Sequence, residues 1–323
     1  TDIVVIPEVS AAAIEKNKFK KKASIETKKW LDARNFDHET GTTITAEKLD
    51  LIRSQIAKMP KNKNMSMSEN GPDNIGGRTR AILIDKTNND RIWAGGVSGS
   101  LFVSTNGASS WERVASYIAA GGSPNISSMT QTNNGVIYVA SGSADESWNG
   151  NGVHYSTDYG VTWTQVPGTG SLSVINEVVS SSASGDNTIW MATSSGVKKW
   201  TLGDANISSV SVGVAGSCSV IQISKDGTVL VAGVGSNSTV VSQDGGTTWV
   251  GKGGNGTGQV PTGGTRIEYA ISPTKNSSNN YSLYATRTSL NLNGMSVSHD
   301  NGSTWTQFIG ASGSFSNLNI YND

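Results

Sequence analysis

Short apolar runs alternate with polar, glycine-bearing turns along most of this chain, and the alternation repeats itself. LFVS (101–104), VHYS (153–156), TVVS (239–242) and MSVS (295–298) each lead through a turn into WERV, WTQV, WVGK and WTQF. The turns read STNGASSW, STDYGVTW, SQDGGTTW and SHDNGSTW, so the shared pattern is Ser-x-Asp-x-Gly-x-Thr-Trp. Asn106 and Ala108 replace the Asp and Gly in the first copy. β-Branched and aromatic runs broken by Asp and Gly predict antiparallel hairpins. Within each turn the Asp carboxylate accepts backbone N–H bonds, and the Gly takes positive φ without a steric penalty. The Thr starts the return strand. A tryptophan that recurs four times is too large to leave in water, so each is expected to be wedged between neighbouring hairpin units.

Residues 1–70 follow another pattern. They hold about half of the 25 Lys and Arg and no copy of the turn. The Ala-, Lys- and Glu-rich stretch Ala11–Arg34 predicts a helix anchored by Trp30 and Leu31. Thr45–Met59 predicts a better one: Thr45 as N-cap, Glu47 in the first turn, and Leu49, Ile52, Ile56 and Met59 on one stripe. Pro60 stops it. Lys61–Glu69 reads as a polar linker. The chain thus divides into a helical leader, 1–70, and a β-rich body, 71–323. Lys20, Lys21 and Lys22 lie between Glu15 and Glu26 and read as a solvated face.

The repeated turn resembles the Asp box (BNR repeat) of sialidase-like and sortilin-like β-propellers, over roughly Gly71 to the end. The resemblance implies a mainly β propeller of four-stranded blades. It also implies that the turn joins the third and fourth strands of a blade, on the rim away from the ligand-binding face. Ser156, Asp158, Gly160 and Trp163, with Ser242, Asp244, Gly246 and Trp249, and Ser298, Asp300, Gly302 and Trp305, are then structural residues. Strand runs divide into five blades, about Gly76–Ala115, Ser123–Pro167, Ser171–Val214, Ser217–Lys252 and Thr265–Ile309, the third without the motif. Ser314–Tyr321 reads as the first strand of a sixth. Five blades and one strand do not close a ring, and open sheet edges invite pairing, so the sequence is expected to be part of a longer protein. The entry GPDNIGGRTRAI (71–82) resembles the opening blade of propellers in secreted Bacteroidetes-type proteins exported by type IX secretion. That implies a secreted or cell-surface bacterial protein with an outer-membrane translocon as one partner; the sorting domain of such proteins is not seen.

Composition narrows the picture. Formal net charge is zero, which argues against a nucleic-acid partner. The 38 glycines fit many turns. The single cysteine, Cys218, excludes an internal disulfide framework and reads as a buried thiol within a strand. No apolar run reaches the ~18 residues of a membrane span.

Candidate chemistry lies in loops and in the innermost strands. Loop 143–151 (SADESWNGN) holds Asp145, Glu146 and Trp148, two acids beside a ring that could stack on a sugar. The same carboxylates offer the oxygen ligands Ca2+ takes, without a regular ligand spacing. The other long loops are 251–264 and 286–293, the latter with Arg287. Innermost strands supply Arg78, Arg80, Glu177, Arg266 and Glu268. Arginines grip carboxylates bidentately, as in sialidases, but the Arg-Ile-Pro entry of that family is missing here. The weak catalytic candidates are Asp145, Glu146, Glu177 and Glu268; the ligand-binding candidates are Arg78, Arg80, Trp148, Arg266 and Arg287. Xyloglucanase-type propellers also carry Asp boxes. His38, His154 and His299 are dispersed, and His154 and His299 read as surface residues. No cofactor motif or zinc spacing is present. The expectation is therefore a module that binds protein or glycan, with glycoside hydrolysis as the alternative.

Overall fold

Strands form where β-branched and aromatic residues run together, and the Gly–Asp turns reverse them. The computed structural model describes residues 78–310 except 145, 146, 237, 290 and 291, together with the pairing of β1 (Phe36–Asp37) with β2 (Thr42–Thr43). That pairing falls in one unit, Thr1–Ser68, and all else in a second, Glu69–Asp323. The helices expected over 11–34 and 45–59, residues 71–77 of the entry and the strand 314–321 lie outside the described residues.

Among the described residues, the second unit holds five four-stranded sheets, each an antiparallel meander in chain order. Blade 1 is β3 (Thr79–Ile84), β4 (Ile92–Gly96), β5 (Ser100–Ser104) and β6 (Glu112–Arg113), followed by a short helix α1 (Ala115–Ala119). Blade 2 is β7 (Ile126–Gln131), β8 (Ile137–Ser141), β9 (Val153–Ser156) and β10 (Thr164–Gln165). Blade 3 is β11 (Ile175–Ser180), β12 (Thr188–Thr193), β13 (Gly196–Thr201) and β14 (Ser208–Ser209). Blade 4 is β15 (Cys218–Ile223), β16 (Leu230–Val234), β17 (Ser238–Ser242) and β18 (Val250–Gly251). Blade 5 is β19 (Arg266–Lys275), β20 (Tyr281–Thr288), β21 (Leu292–Ser298) and β22 (Thr306–Gly310). The first strands β3, β7, β11, β15 and β19 lie side by side in that order, which makes the unit a β-propeller.

The core sits between blades, in four apolar clusters. The second and third strands of blades 2 to 4 are therefore packed on both faces, and there a period-two pattern does not mark a wet side. His154 on β9 is the clearest consequence. Expected at the surface, it is 1% exposed, because its ring lies against Tyr117 of α1 in the blade 1–2 interface. Cys218 is buried, and burial pushes its thiol up to about 12, so it stays a thiol.

The repeated turn joins third and fourth strands in blades 1, 2, 4 and 5, and its bonds recur. Asp158 accepts from the Ser156 hydroxyl (2.8 Å), the Thr162 N–H (2.9 Å) and the Thr162 hydroxyl (2.6 Å). Asp244 and Asp300 do the same with Ser242 and Thr248, and with Ser298 and Thr304. In the worn copy, the Asn106 amide oxygen accepts from Ser104 and the Ser110 N–H, and positive φ passes to Ala108 (69°). The indole N–H groups of Trp163, Trp249 and Trp305 donate to the carbonyls of Gly160, Gly246 and Gly302, three residues back.

These glycines are needed for close approach as well as for φ. A Cβ at Gly160 would lie 2.2 Å from the Trp93 ring of blade 1, and one at Gly246 2.1 Å from the Trp190 ring of blade 3. Trp163 then meets Trp93 edge-on at 5.9 Å, and Trp249 meets Trp190 at 6.2 Å. The turns of blades 2 and 4 thus plug onto the second strand of the preceding blade, while Gly302 of blade 5 lies against Val241 on the third strand of blade 4. Blade 3 lacks the motif, and Trp200 takes the place, edge-on to Tyr138 and tilted against Tyr155 of blade 2.

Two measurements follow. Gly185 has an equally positive φ, but its Cβ would meet open space; Gly185→Ala should cost about 1 kcal/mol. Gly160→Ala and Gly246→Ala should cost about 1–3 kcal/mol more in urea denaturation, because each adds a clash with a ring. Second, Thr248 bonds hold the Asp244 carboxyl at about 2, below its ordinary 3.8. A depressed carboxylate contributes stability above its unfolded pKa and loses it as pH falls through the folded one. Stability should therefore fall as pH drops from 3.8 toward 2, and Asp244→Asn should flatten that limb of an acid titration followed by fluorescence.

Candidate functional site

In blades 1 to 4 the innermost strand carries a bulge at its second residue. Pairing with the second strand skips Arg80 in blade 1, Ser127 in blade 2, Asn176 in blade 3 and Ser219 in blade 4. A bulge places one unpaired residue in the ladder and re-aims the side chains beside it. Four bulges at one level therefore turn neighbouring residues into one central cavity of about 750 Å3. Its lining includes Arg80, Ser127, Ser128, Asn176, Glu177 and Ser219, with Thr265, Arg266 and Glu268 from blade 5. Met129, Val220 and Ile267 are its apolar floor. The bulged end leads to the second-to-third-strand loops and the inter-blade connections; the Gly-x-x-Trp turns sit at the other end of each antiparallel sheet.

Glu177 is the most constrained group in the cavity. Its carboxylate accepts the Ile221 N–H (2.8 Å) and the Gln222 amide (2.6 Å), both on the first strand of blade 4. Ser128 makes the equivalent link from blade 2, accepting the Val178 N–H at 3.1 Å. Ser128 and Glu177 occupy the same repeat position, so Glu177 ties blade to blade. Burial and the nearby Glu268 carboxylate push its pKa up to about 7, against the pull of its two donors and Arg266. Arg266 pairs with Glu268 at 2.7 Å, both half exposed, a pair worth little to stability.

The remaining candidates are placed as follows. Arg80 donates to the Ser143 hydroxyl (2.7 Å) at the base of loop 143–151. Trp148 is held there by an isolated bridge to Ser143 and stays 40% exposed. Asp145 and Glu146 lie outside the described residues. Arg287 is buried on the blade 4 side of blade 5, donates to the Gly263 carbonyl (2.8 Å) and does not line the cavity. Arg78 is exposed and also outside the lining. Sequence reasoning missed Ser127, Ser128, Asn176 and Ser219. Aligning ISS (126–128), INE (175–177) and CSV (218–220) would have found them. Among the described residues, no cluster of His, Cys, Asp or Glu is placed to hold a metal ion. Nor, among them, is any helix long and apolar enough to cross a membrane.

No protein-family model matches the chain, and no curated protein does. Solved structures match in fold. An ancestral GH74 enzyme is 21% identical, with a TM-score of 0.54 over 71% of this chain and 32% of that one. The GH74 enzyme of Niastella koreensis is 18% identical, with a TM-score of 0.51 over 72% of this chain and 38% of that one. The chain thus spans about a third of the length of these structures, and at such identities the likeness is one of fold. YCF48 from Cyanidioschyzon merolae, 16% identical over 72% of this chain and 84% of that one, superposes too loosely (TM-score 0.42) to bear on function.

The Glu177 geometry sets a pH dependence. A carboxyl whose folded pKa lies above its ordinary 4.5 contributes most below 4.5, and that contribution is lost as pH rises through about 7. Glu177→Gln keeps an acceptor for Ile221 without the charge. The variant should gain stability relative to the parent as pH rises from 4.5 to 7, measured by chemical denaturation at each pH.

Proposed function

We propose that this propeller is a binding module of a secreted or cell-surface bacterial protein, taking a protein or glycan ligand at the bulge-lined cavity. The observation that carries this reading is that, among the described residues, both carboxylates that line the cavity are already engaged by protein donors, Glu177 by blade 4 and Glu268 by Arg266. The polar rim of Arg80, Asn176 and Ser128 then suits recognition through hydrogen bonds. Export as type IX cargo, with a translocon as transient partner, is part of the same reading. It rests on the Asp-box pattern of the turns and on the GPDNIGGRTRAI entry.

A second reading, glycoside hydrolysis, has its own support. Glu177, pushed up to about 7, shares one cavity with the exposed Glu268, and a carboxyl raised by burial beside a second carboxylate is the pattern of a general acid and its partner. The GH74 enzymes share the fold.

Glycan and peptide panels, read for binding and for release of reducing sugar, separate the two. Binding without turnover, weakened about tenfold (~1.4 kcal/mol) by Arg80→Ala or Asn176→Ala, is the expected result. Sugar release abolished by Glu268→Gln or Glu177→Gln would establish the hydrolase instead.

A further inference from the structure

Among the described residues, the connection from blade 1 to blade 2 differs from the others in carrying a helix, α1, and a strap, 120–125, that folds back over it. Tyr117 of α1 is buried, and its hydroxyl donates to the Ser123 carbonyl (3.1 Å). Gly122 lies flush on the same ring, where a Cβ would sit 2.4 Å away. The strap is fastened to loop 143–151 of blade 2. Asn151 accepts the Ser123 N–H (3.1 Å) and donates to the Gly121 carbonyl, and Asn125 donates to the Asn149 carbonyl (3.1 Å). Ser143, at the base of that loop, accepts from Arg80 of the cavity lining. Helix and strap therefore connect the blade 1–2 interface to the rim of the cavity. His154 sits where they dock. Its ring meets Tyr117 edge-on at 5.5 Å, and Tyr117 meets Trp163 at 5.4 Å. The Nδ1 atom of His154 is buried without a hydrogen-bond partner.

We propose that His154 is an acid-operated latch: neutral, it holds α1 and the strap 120–125 against blade 2; protonated, it releases them and loosens the cavity rim at 149–151. The latch acts the same way whichever ligand the cavity takes. A proton on the ring adds a charge and a donor in a site that offers Nδ1 no acceptor, and apolar surroundings expel such a group. The groups that face the ring are the Tyr117 phenol of α1, itself kept neutral by burial, and the Ala120 carbonyl. Among the described residues, no ion pair involves His154. Burial holds its pKa below the ordinary 6.5, against the pull of a hydrogen bond to Ala120. The neutral ring therefore contributes fully above 6.5, and that contribution is lost as pH falls from 6.5 through the lowered folded value. The window lies above that of the turn aspartates, which titrate below 3.8. Glu177 acts with the opposite sign, losing its contribution as pH rises through about 7.

Amide hydrogen exchange by mass spectrometry tests this on the 323-residue chain at pH 7.5, 6.5 and 5.5, with rates corrected for their intrinsic pH dependence. Exchange over 115–125 should rise by up to about tenfold per pH unit below 6.5. Peptides from β16 and β17 of blade 4 should keep their protection throughout. His154→Gln cannot take up a proton at these pH values, and His154→Phe keeps a ring against Tyr117; both should exchange over 115–125 at a rate independent of pH. The imidazole resonance of His154, followed by NMR in the unmodified chain, should titrate over the pH range in which the strap opens, which decides the matter even where a variant fails to fold. Unchanged protection of 115–125 from pH 7.5 to 5.5 would overturn the proposal. So would a rise that persists in both variants, a rise shared equally by blade 4, or opening at a pH where the His154 resonance does not move.

Discussion

The contact between a Gly-x-x-Trp turn and the second strand of the preceding blade is what the rest of this propeller depends on. A four-stranded sheet with a two-residue outer strand has little core of its own. Its apolar residues are buried only when another blade lies on each face. The turn makes that possible because its glycine has no Cβ, so the ring of Trp93 or Trp190 lies flush against the backbone. The aspartate bonds then hold the turn in the one shape that presents the tryptophan edge-on. Backbone conformation, side-chain hydrogen bonding and apolar burial are met by the same eight residues.

The cavity arises from a second constraint at the other end of the same strands. Regular pairing would send alternate side chains of each inner strand into the two adjoining interfaces. Bulges at Arg80, Ser127, Asn176 and Ser219 break that rule at one level and gather polar groups on the axis. Polar ties between neighbouring inner strands, Ser128 to Val178 and Glu177 to Ile221, close the gaps that apolar residues fill elsewhere. Glu177 is therefore both a structural bridge and the most electrostatically perturbed carboxyl of the cavity. One side chain carries both readings of function, and turnover is the observable that distinguishes them.

The separation of the two ends has a functional sense. The turns that fix blade to blade sit opposite the loops that vary in length, so loop 143–151 and the 252–265 connection change without disturbing the packing. Trp148 and Arg80 belong to this variable end, joined through Ser143.

The turn residues were legible in the sequence because their work is local. Ser242, Asp244, Gly246 and Thr248 bond within one reversal, and the spacing of the motif is the spacing of those bonds. The blade boundaries followed from the strand runs between those turns. His154 was misread because a strand packed on both faces gives no alternation to read. Ser127, Asn176 and Ser219 were missed because a bulge is a mismatch between two strands, marked only when the inner strands of successive blades are aligned with one another. The chain by itself determined the repeat, its turns and the sheets they close. Tertiary structure alone decided which side chains meet on the axis, why Glu177 resists ionisation and why His154 is buried, since each depends on what a neighbouring blade brings within a few ångströms.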